Sequence, residues 1–287
     1  MAGLSGEGPF STGRAPGPSA RVQVTSQFPA SDGETAAIVA CLDATASGRP
    51  VLEWAVRLGE LLGWGVGTLH VGNPGASAAT PADLAARRGV PLRLLEGPVD
   101  EQLLSQLGAP GVQMAVMGAR STVGGRRPVG TVTRHVIQAY GRPVLIVPPE
   151  AVGPGPLKSA LVPVEGTAQT SGPLDRWLPR LAGQLALIGL HVFTPGRTPA
   201  MLDRPVRDML LLTDAFKERH LPAADRLEVR SGHVASHVVQ CSRELAVDLI
   251  ILSWTQPGDA GRAETVLQVL ALSPVPTLLL PGRAPGS

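Results

Sequence analysis

The sequence contains the same α/β pattern twice. Residues 97–118 align without a gap on residues 232–253, and the tripeptide LHV occurs at 69–71 and again at 190–192. Both matches keep the same order along the 287-residue chain. Self-similarity in constant order indicates two copies of one structural unit, and this constrains the fold more than any single motif does.

The repeat divides the chain into two predicted domains, residues 35–150 and 157–282, joined by the Pro- and Gly-rich linker 148–156. The second copy carries an insertion near 194–222. Residues 1–34 are rich in Gly, Pro and Ser and lack the apolar core of a signal peptide. We expect them to form a disordered tail.

Each copy alternates strand-like and helix-like segments. The run AAIVACLD (36–43) is continuously apolar, which is typical of a strand buried on both faces, and PVLEWAVRLGELLG (50–63) has apolar residues at helical spacing. This rhythm predicts βαβ units and a parallel doubly wound sheet. The fifth strands, at 142–149 and 275–281, are apolar edge strands, so we expect them to pair with each other.

Composition excludes several partners. Aromatic residues make up 3% of the chain and the net charge is +2, which argues against nucleic acids and anionic membranes. No apolar run approaches the roughly 18 residues of a membrane helix. Cys41 and Cys241 are far apart and have no metal-site spacing, so two buried free thiols and a cytoplasmic location are expected, with a single disulfide as the alternative.

Candidate site residues follow three predicted strands. Asp43 ends the first strand, His70 and Val71 end the second, and the loop GARSTVGGRRPVGTVTRH (118–135) follows the fourth. In an open parallel sheet these strand ends meet at one edge, where ligands bind. Glycines and the following helix N-terminus suit a phosphate, and the loop residues concerned are Gly118, Gly124, Gly125, Gly130 and Thr131.

The charged residues in and around this loop are arginines. No Asp or Glu lies between Glu101 and Glu150, whereas five arginines do: Arg120, Arg126, Arg127, Arg134 and Arg142. An anion site explains this bias; solvated loop arginines are the alternative.

These residues resemble the universal stress protein family. The resemblance rests first on the Asp at the end of the first strand and the Val after the second. It rests further on residues 116–149, which contain a loop of the form G-x2-G-x9-G-[S/T] and a fifth strand led by Pro-Val. It covers both copies, about 240 residues, as in a tandem member. It implies two Rossmann-like (adenine nucleotide alpha hydrolase-like) five-stranded parallel sheets of strand order 3-2-1-4-5, arranged as an intramolecular pseudo-dimer.

The resemblance also implies that the first copy binds ATP, alone or together with Mg²⁺. Asp43 and the backbone of Val71 would hold the adenosine end, and Gly118, Gly130 and Thr131 the phosphates. The motif is altered, because Ser121 replaces its second glycine and eight rather than nine residues separate Ser121 from Gly130. The Ser121 hydroxyl can contact phosphate, and Gly124 or Gly125 could replace the missing glycine.

The second copy departs further, and we expect it to bind no nucleotide. Glu165 replaces Asp43, and Ser253 replaces Gly118. Its loop also carries the bulky Trp254 and two acidic residues, Asp259 and Glu264. Glu264, aligned on Thr131, is predicted at a helix start, where it would repel phosphate.

Two functions remain open at this stage. The first is a nucleotide-binding regulator with at most slow ATP hydrolysis. The second is a tandem interaction scaffold in stress response that binds no nucleotide. Either has an unidentified protein partner, and a homodimer stays open. An adenine-nucleotide hydrolase is disfavoured because DATASG (43–48) is not a serine-glycine-glycine loop, and a metal site at His233 and His237 is disfavoured because no third ligand accompanies them.

Overall fold

The computed structural model describes residues 37–45, 47–72, 79–119, 129–193, 206–254 and 260–282. The predicted tail, 1–34, lies outside them. The elements of the N-terminal half are β1 Ala37–Cys41, α1 Gly48–Leu62, β2 Gly65–Gly72, α2 Ala79–Arg88, β3 Leu92–Glu96, α3 Val99–Leu107, β4 Val112–Gly118, α4 Thr131–Ala139 and β5 Val144–Val147.

The C-terminal half repeats this order of elements. They are β6 Ser159–Pro163, α5 Ala168–Trp177 with a short 3₁₀ turn Leu178–Arg180, β7 Ala186–Phe193, α6 Val206–His220, β8 Arg226–Ser231, α7 Val234–Glu244, β9 Leu249–Trp254, α8 Ala260–Leu272 and β10 Thr277–Pro281. The predicted α/β class is therefore confirmed, and helix α6 falls in the predicted insertion.

The ten strands form one sheet in the order β3-β2-β1-β4-β5-β10-β9-β6-β7-β8. The strands within each half are parallel. At the junction β5 and β10 are antiparallel, with Leu145 opposite Leu278 and Ile146 opposite Thr277. The pairing expected between the two apolar fifth strands is therefore present, and it makes each half the neighbour of the other along the sheet.

Both faces of this sheet are covered by apolar cores that continue across the junction. Leu145 and Leu278 belong to the core on the face of α1 and α5, whereas Ile146 and Leu279 belong to the core on the opposite face. A strand buried on both faces must be apolar at every position, which explains the unbroken apolar runs of the sequence. Because each core contains residues of both halves, we expect the halves to unfold together.

The linker between the halves is held against helix α1. The indole Nε1 of Trp54 donates to the carbonyl of Val152 at 3.3 Å. A Cβ on Gly153 would lie 1.9 Å from Oε2 of Glu53, so the linker backbone runs close to the Glu53 carboxylate of α1. The linker is thus part of the packed structure at these positions.

Cys41 and Cys241 are both free and buried, as predicted. Among the helices of the described ranges, none has the length and apolar content needed to cross a membrane.

Removal of the Leu145 side chain tests the shared core. Leu145 is fully buried at the junction, so Leu145→Ala should lower the free energy of unfolding by about 2–5 kcal/mol. We expect hydrogen exchange in urea to show that peptides of β1 and of β6 unfold at the same urea concentration, lower than in the wild type. Val152→Ala, at an exposed position, is the control and should change stability by no more than about 0.5 kcal/mol. A shift confined to one half would contradict the shared core.

Candidate functional site

A cavity of about 500 Å³ opens at the carboxyl ends of β1, β2 and β4, beside the N-terminus of α4. Six residues predicted from the sequence line this one cavity: Asp43, His70, Val71, Gly118, Gly130 and Thr131. The other predicted residues, Ser121, Gly124 and Gly125, lie outside the described residues. The cavity is where the parallel topology places a ligand site.

Asp43 is fixed by the turn that follows β1. Its Oδ1 accepts hydrogen bonds from the backbone N–H of Thr45 at 3.1 Å and from the Thr45 hydroxyl at 2.7 Å. These bonds hold the half-buried carboxylate at the cavity wall. Oδ2 takes part in neither bond, so it can accept a hydroxyl or amine donor of a ligand.

His70 holds the ends of β1 and β2 together. Its Nδ1 lies 2.8 Å from the carbonyl oxygen of Leu42, and a carbonyl can only accept, so Nδ1 is the donor. His191 makes the same bond to Val164, also at 2.8 Å. The same bond therefore joins the ends of the first two strands in each half.

Helix α4 begins at the cavity without a side-chain cap. The N-cap residue Gly130 supplies no side chain, and its N–H donates to the carbonyl of Ala119 at 2.9 Å. Thr133 donates its hydroxyl to the carbonyl of Gly118 at 2.8 Å, which ties the helix to the end of β4. The first turn contains no acidic residue. Uncapped amides and the positive end of the helix dipole make this a place for an anion.

Two of the arginines predicted around the loop, Arg134 and Arg142, lie in the described residues and differ in their surroundings. Arg142 donates to the carbonyls of Leu107, Ala109 and Val112. It therefore binds carbonyls at the end of α3 and the start of β4, and the prediction that it surrounds the anion site was wrong. The physical reason is that C-terminal helix carbonyls lack partners within the helix. Arg134 is exposed on α4, and Arg120, Arg126 and Arg127 lie outside the described residues.

The rest of the cavity wall is mainly apolar. Its side chains come from both faces of the sheet edge and include Leu42, Val51, Leu103, Met117 and Val132. Burial raises the pKa of the Cys41 thiol, which also lines the wall, to about 12, so this thiol is neutral at pH 7. Such a wall suits an uncharged flat group, while the two polar ends offer the Asp43 carboxylate and the N-terminal amides of α4.

The corresponding strand end of the C-terminal half carries a cluster of packed rings. Phe193 follows His191 and Val192 where Gly72 follows His70 and Val71, and its ring lies 4.5 Å from the His191 ring. Phe216 of α6 lies 4.4 Å from the His191 ring. These residues were missed from the sequence, because an inserted helix has no counterpart from which its position could be read.

Phe216 also explains a glycine in the C-terminal half. Gly166 follows Glu165, the counterpart of Asp43, and has a φ of +85°. A Cβ on Gly166 would lie 2.6 Å from Cε2 of Phe216. The backbone therefore approaches the ring where no side chain would fit.

The predicted place of Glu264 was wrong. Helix α8 begins at Ala260, so Glu264 is its fifth residue and not at its start. Its Oε1 accepts from Gln268 at 3.2 Å, an ordinary i, i+4 contact along the helix. Trp254 is buried in the core at the end of β9, and Asp259 lies outside the described residues.

His233 and His237 have other contacts. Nε2 of His237 donates to the carbonyl of Ser231 at 2.9 Å, and His233 lies 3.3 Å from the Ser236 hydroxyl. Within the described residues, no group of three or more His, Cys, Asp and Glu side chains could hold a metal ion.

No family model matches the sequence, and no curated protein matches it. Solved structures do. A universal stress protein from Archaeoglobus fulgidus is 14% identical with a TM-score of 0.62, covering 86% of this chain and 98% of that chain. A protein from Pseudomonas aeruginosa named as a universal stress protein is 11% identical with a TM-score of 0.64, covering 86% and 93%.

A third structure, of a functionally unknown protein from Pseudomonas aeruginosa, is 11% identical with a TM-score of 0.61, covering 86% of this chain and 92% of that chain. All three likenesses span both halves of the repeat. The chain therefore has the fold of the universal stress proteins, in a tandem arrangement of two halves.

Proposed function

We propose that the N-terminal half binds ATP, that the C-terminal half binds no nucleotide, and that the protein acts as a nucleotide-sensing regulator in stress response. One observation carries the proposal: a single cavity joins Asp43, the end of β2 and the uncapped start of α4. Its volume of about 500 Å³ falls in the range of about 300–1,000 Å³ typical of small-molecule sites.

The polar groups suggest the orientation of the nucleotide. Oδ2 of Asp43 would accept from the ribose or base, and the backbone of Val71 would contact the base. The triphosphate would lie at the amides of Thr131 and Val132, where helix dipole and free N–H groups favour negative charge. Mg²⁺ would arrive with the phosphates and neutralise part of their charge.

The side chains at the cavity favour binding over rapid turnover. Its titratable residues in the described chain are Asp43, His70 and Cys41. Asp43 is held by Thr45, and His70 donates to Leu42. Burial keeps the pKa of Cys41 high, so the thiolate nucleophile is scarce. We therefore propose at most slow ATP hydrolysis.

A regulator needs a readout, and the helix after the nucleotide loop supplies one. Thr133 connects α4 to β4 by its bond to Gly118, so phosphate at the start of α4 would stabilise this connection. A protein partner in the cytoplasm would recognise the occupied state. The two free, buried cysteines suit a reducing compartment.

Replacement of Asp43 tests the adenosine end. Asp43→Ala removes a charged acceptor, so we expect ATP affinity to fall about tenfold to one-hundredfold by calorimetric titration. Glu165→Ala changes the equivalent position of the C-terminal half and should leave affinity unchanged. Equal weakening by both substitutions, or by neither, would contradict this assignment.

Introduction of an acid at Gly130 tests the phosphate end. Gly130 has a φ of −57° and a ψ of 149°, which other residues adopt, so Gly130→Glu adds charge without backbone strain. We expect ATP affinity to fall at least tenfold, because the carboxylate would face the phosphates, while adenosine affinity changes little. Glu264→Gln, which changes an exposed charge on α8 of the C-terminal half, is the control and should have no effect.

These titrations also separate the proposal from the scaffold alternative. The protein is first unfolded, released nucleotide is identified by chromatography, and the emptied, refolded protein is titrated. Failure of the wild type to bind ATP at millimolar concentration would overturn the nucleotide proposal and favour the scaffold.

A further inference from the structure

An aromatic cluster joins the two halves on the face of α1 and α5. The indole of Trp64, between α1 and β2, meets the indole of Trp177, the last residue of α5, edge-on with 5.7 Å between ring centroids. The guanidinium of Arg180 lies 5.2 Å from the ring centroid of Trp177 and 5.8 Å from that of Trp64. Both tryptophans are half-buried, and Arg180 is exposed. We call these three residues the Arg180 surface.

The two rings hold the Arg180 side chain but leave its hydrogen-bond donors available. The N–H groups of a guanidinium lie in its own plane, so a guanidinium that contacts aromatic rings can still donate to a carboxylate. The ring contacts also restrict the side chain, which lowers the conformational entropy that it loses when it binds a partner. Among the described residues, none forms an ion pair or a hydrogen bond with this guanidinium.

The N-terminal half shows which partner an arginine at this place in the repeat takes. Both halves contain the pattern W-x2-R in their first helical segment, at residues 54–57 and again at residues 177–180. In the N-terminal half Arg57 forms an ion pair with Glu60 at 2.8 Å, one turn further along α1. The counterpart of Glu60 is Gly183. The C-terminal half therefore keeps the arginine and lacks the acid.

We propose that the Arg180 surface docks an acidic segment of a partner protein, with a carboxylate of the partner bound to Arg180 as Glu60 is bound to Arg57. Arginine and tryptophan are enriched among the residues that contribute most to protein–protein binding. Because each half supplies one of the two rings, the surface forms only when the halves are packed together. Nucleotide in the N-terminal cavity is not required for this docking.

Titration of the nucleotide-free protein with the peptide hexaglutamate tests the docking, and hexaglutamine is the matched uncharged peptide. We expect hexaglutamate to bind and hexaglutamine not to bind. Arg180→Gln removes the cation and should weaken hexaglutamate about tenfold. Arg180→Lys keeps the charge but loses the planar set of donors, so it should weaken the peptide less, about threefold. Arg87→Gln, at an exposed arginine of α2, is the control and should bind like the wild type.

Tryptophan fluorescence of the wild-type protein locates the bound peptide. Trp54 and Trp254 are buried, whereas Trp64 and Trp177 are half-buried, so acrylamide should quench mainly the pair at the Arg180 surface. Bound hexaglutamate should reduce this quenching, and hexaglutamine should leave it unchanged. The measurement uses no substituted protein, so it remains informative if an Arg180 variant folds poorly.

Three outcomes would overturn the docking proposal. The first is a wild-type protein that does not bind hexaglutamate. The second is equal weakening by Arg180→Gln and Arg87→Gln, which would mean that the peptide responds only to overall charge. The third is bound hexaglutamate that leaves acrylamide quenching unchanged, which would place the peptide elsewhere. Each of these outcomes leaves the nucleotide proposal intact, because ATP titration tests that proposal separately.

Discussion

The antiparallel pairing of β5 with β10 determines how the two halves can work. Every strand within a half is parallel, so all carboxyl ends of that half meet at one edge of the sheet. Because the junction reverses direction, the equivalent edge of the other half faces the opposite way. The cavity and the equivalent edge of the C-terminal half therefore cannot share a ligand, and each must be assessed from its own residues.

The halves keep the same backbone design and differ in what fills the sheet edge. The histidine bond at the end of the second strand is present in both, as His70 to Leu42 and His191 to Val164. In one half a cavity opens at this edge; in the other the histidine ring contacts Phe193 and Phe216.

Much of the fold could be predicted from the sequence because burial on both faces leaves unbroken apolar runs. The apolar run that contains β1 ends near Asp43. Because ligands bind at the carboxyl ends of parallel strands, Asp43, Val71 and Gly130 were predicted at one edge, and the structure has them there. Phe216 and Arg142 could not be placed, since their roles depend on contacts across the tertiary structure. The roles of Ser121, Gly124 and Gly125 stay predictions.

The most direct test of the central claim is photoaffinity labelling of the full chain with 8-azido-ATP, followed by peptide mapping. The account predicts labelled peptides from the N-terminal half, near the end of β2 or the turn at Asp43, and loss of labelling with excess ATP. Labelling of the C-terminal half, or labelling that excess ATP does not prevent, would contradict it.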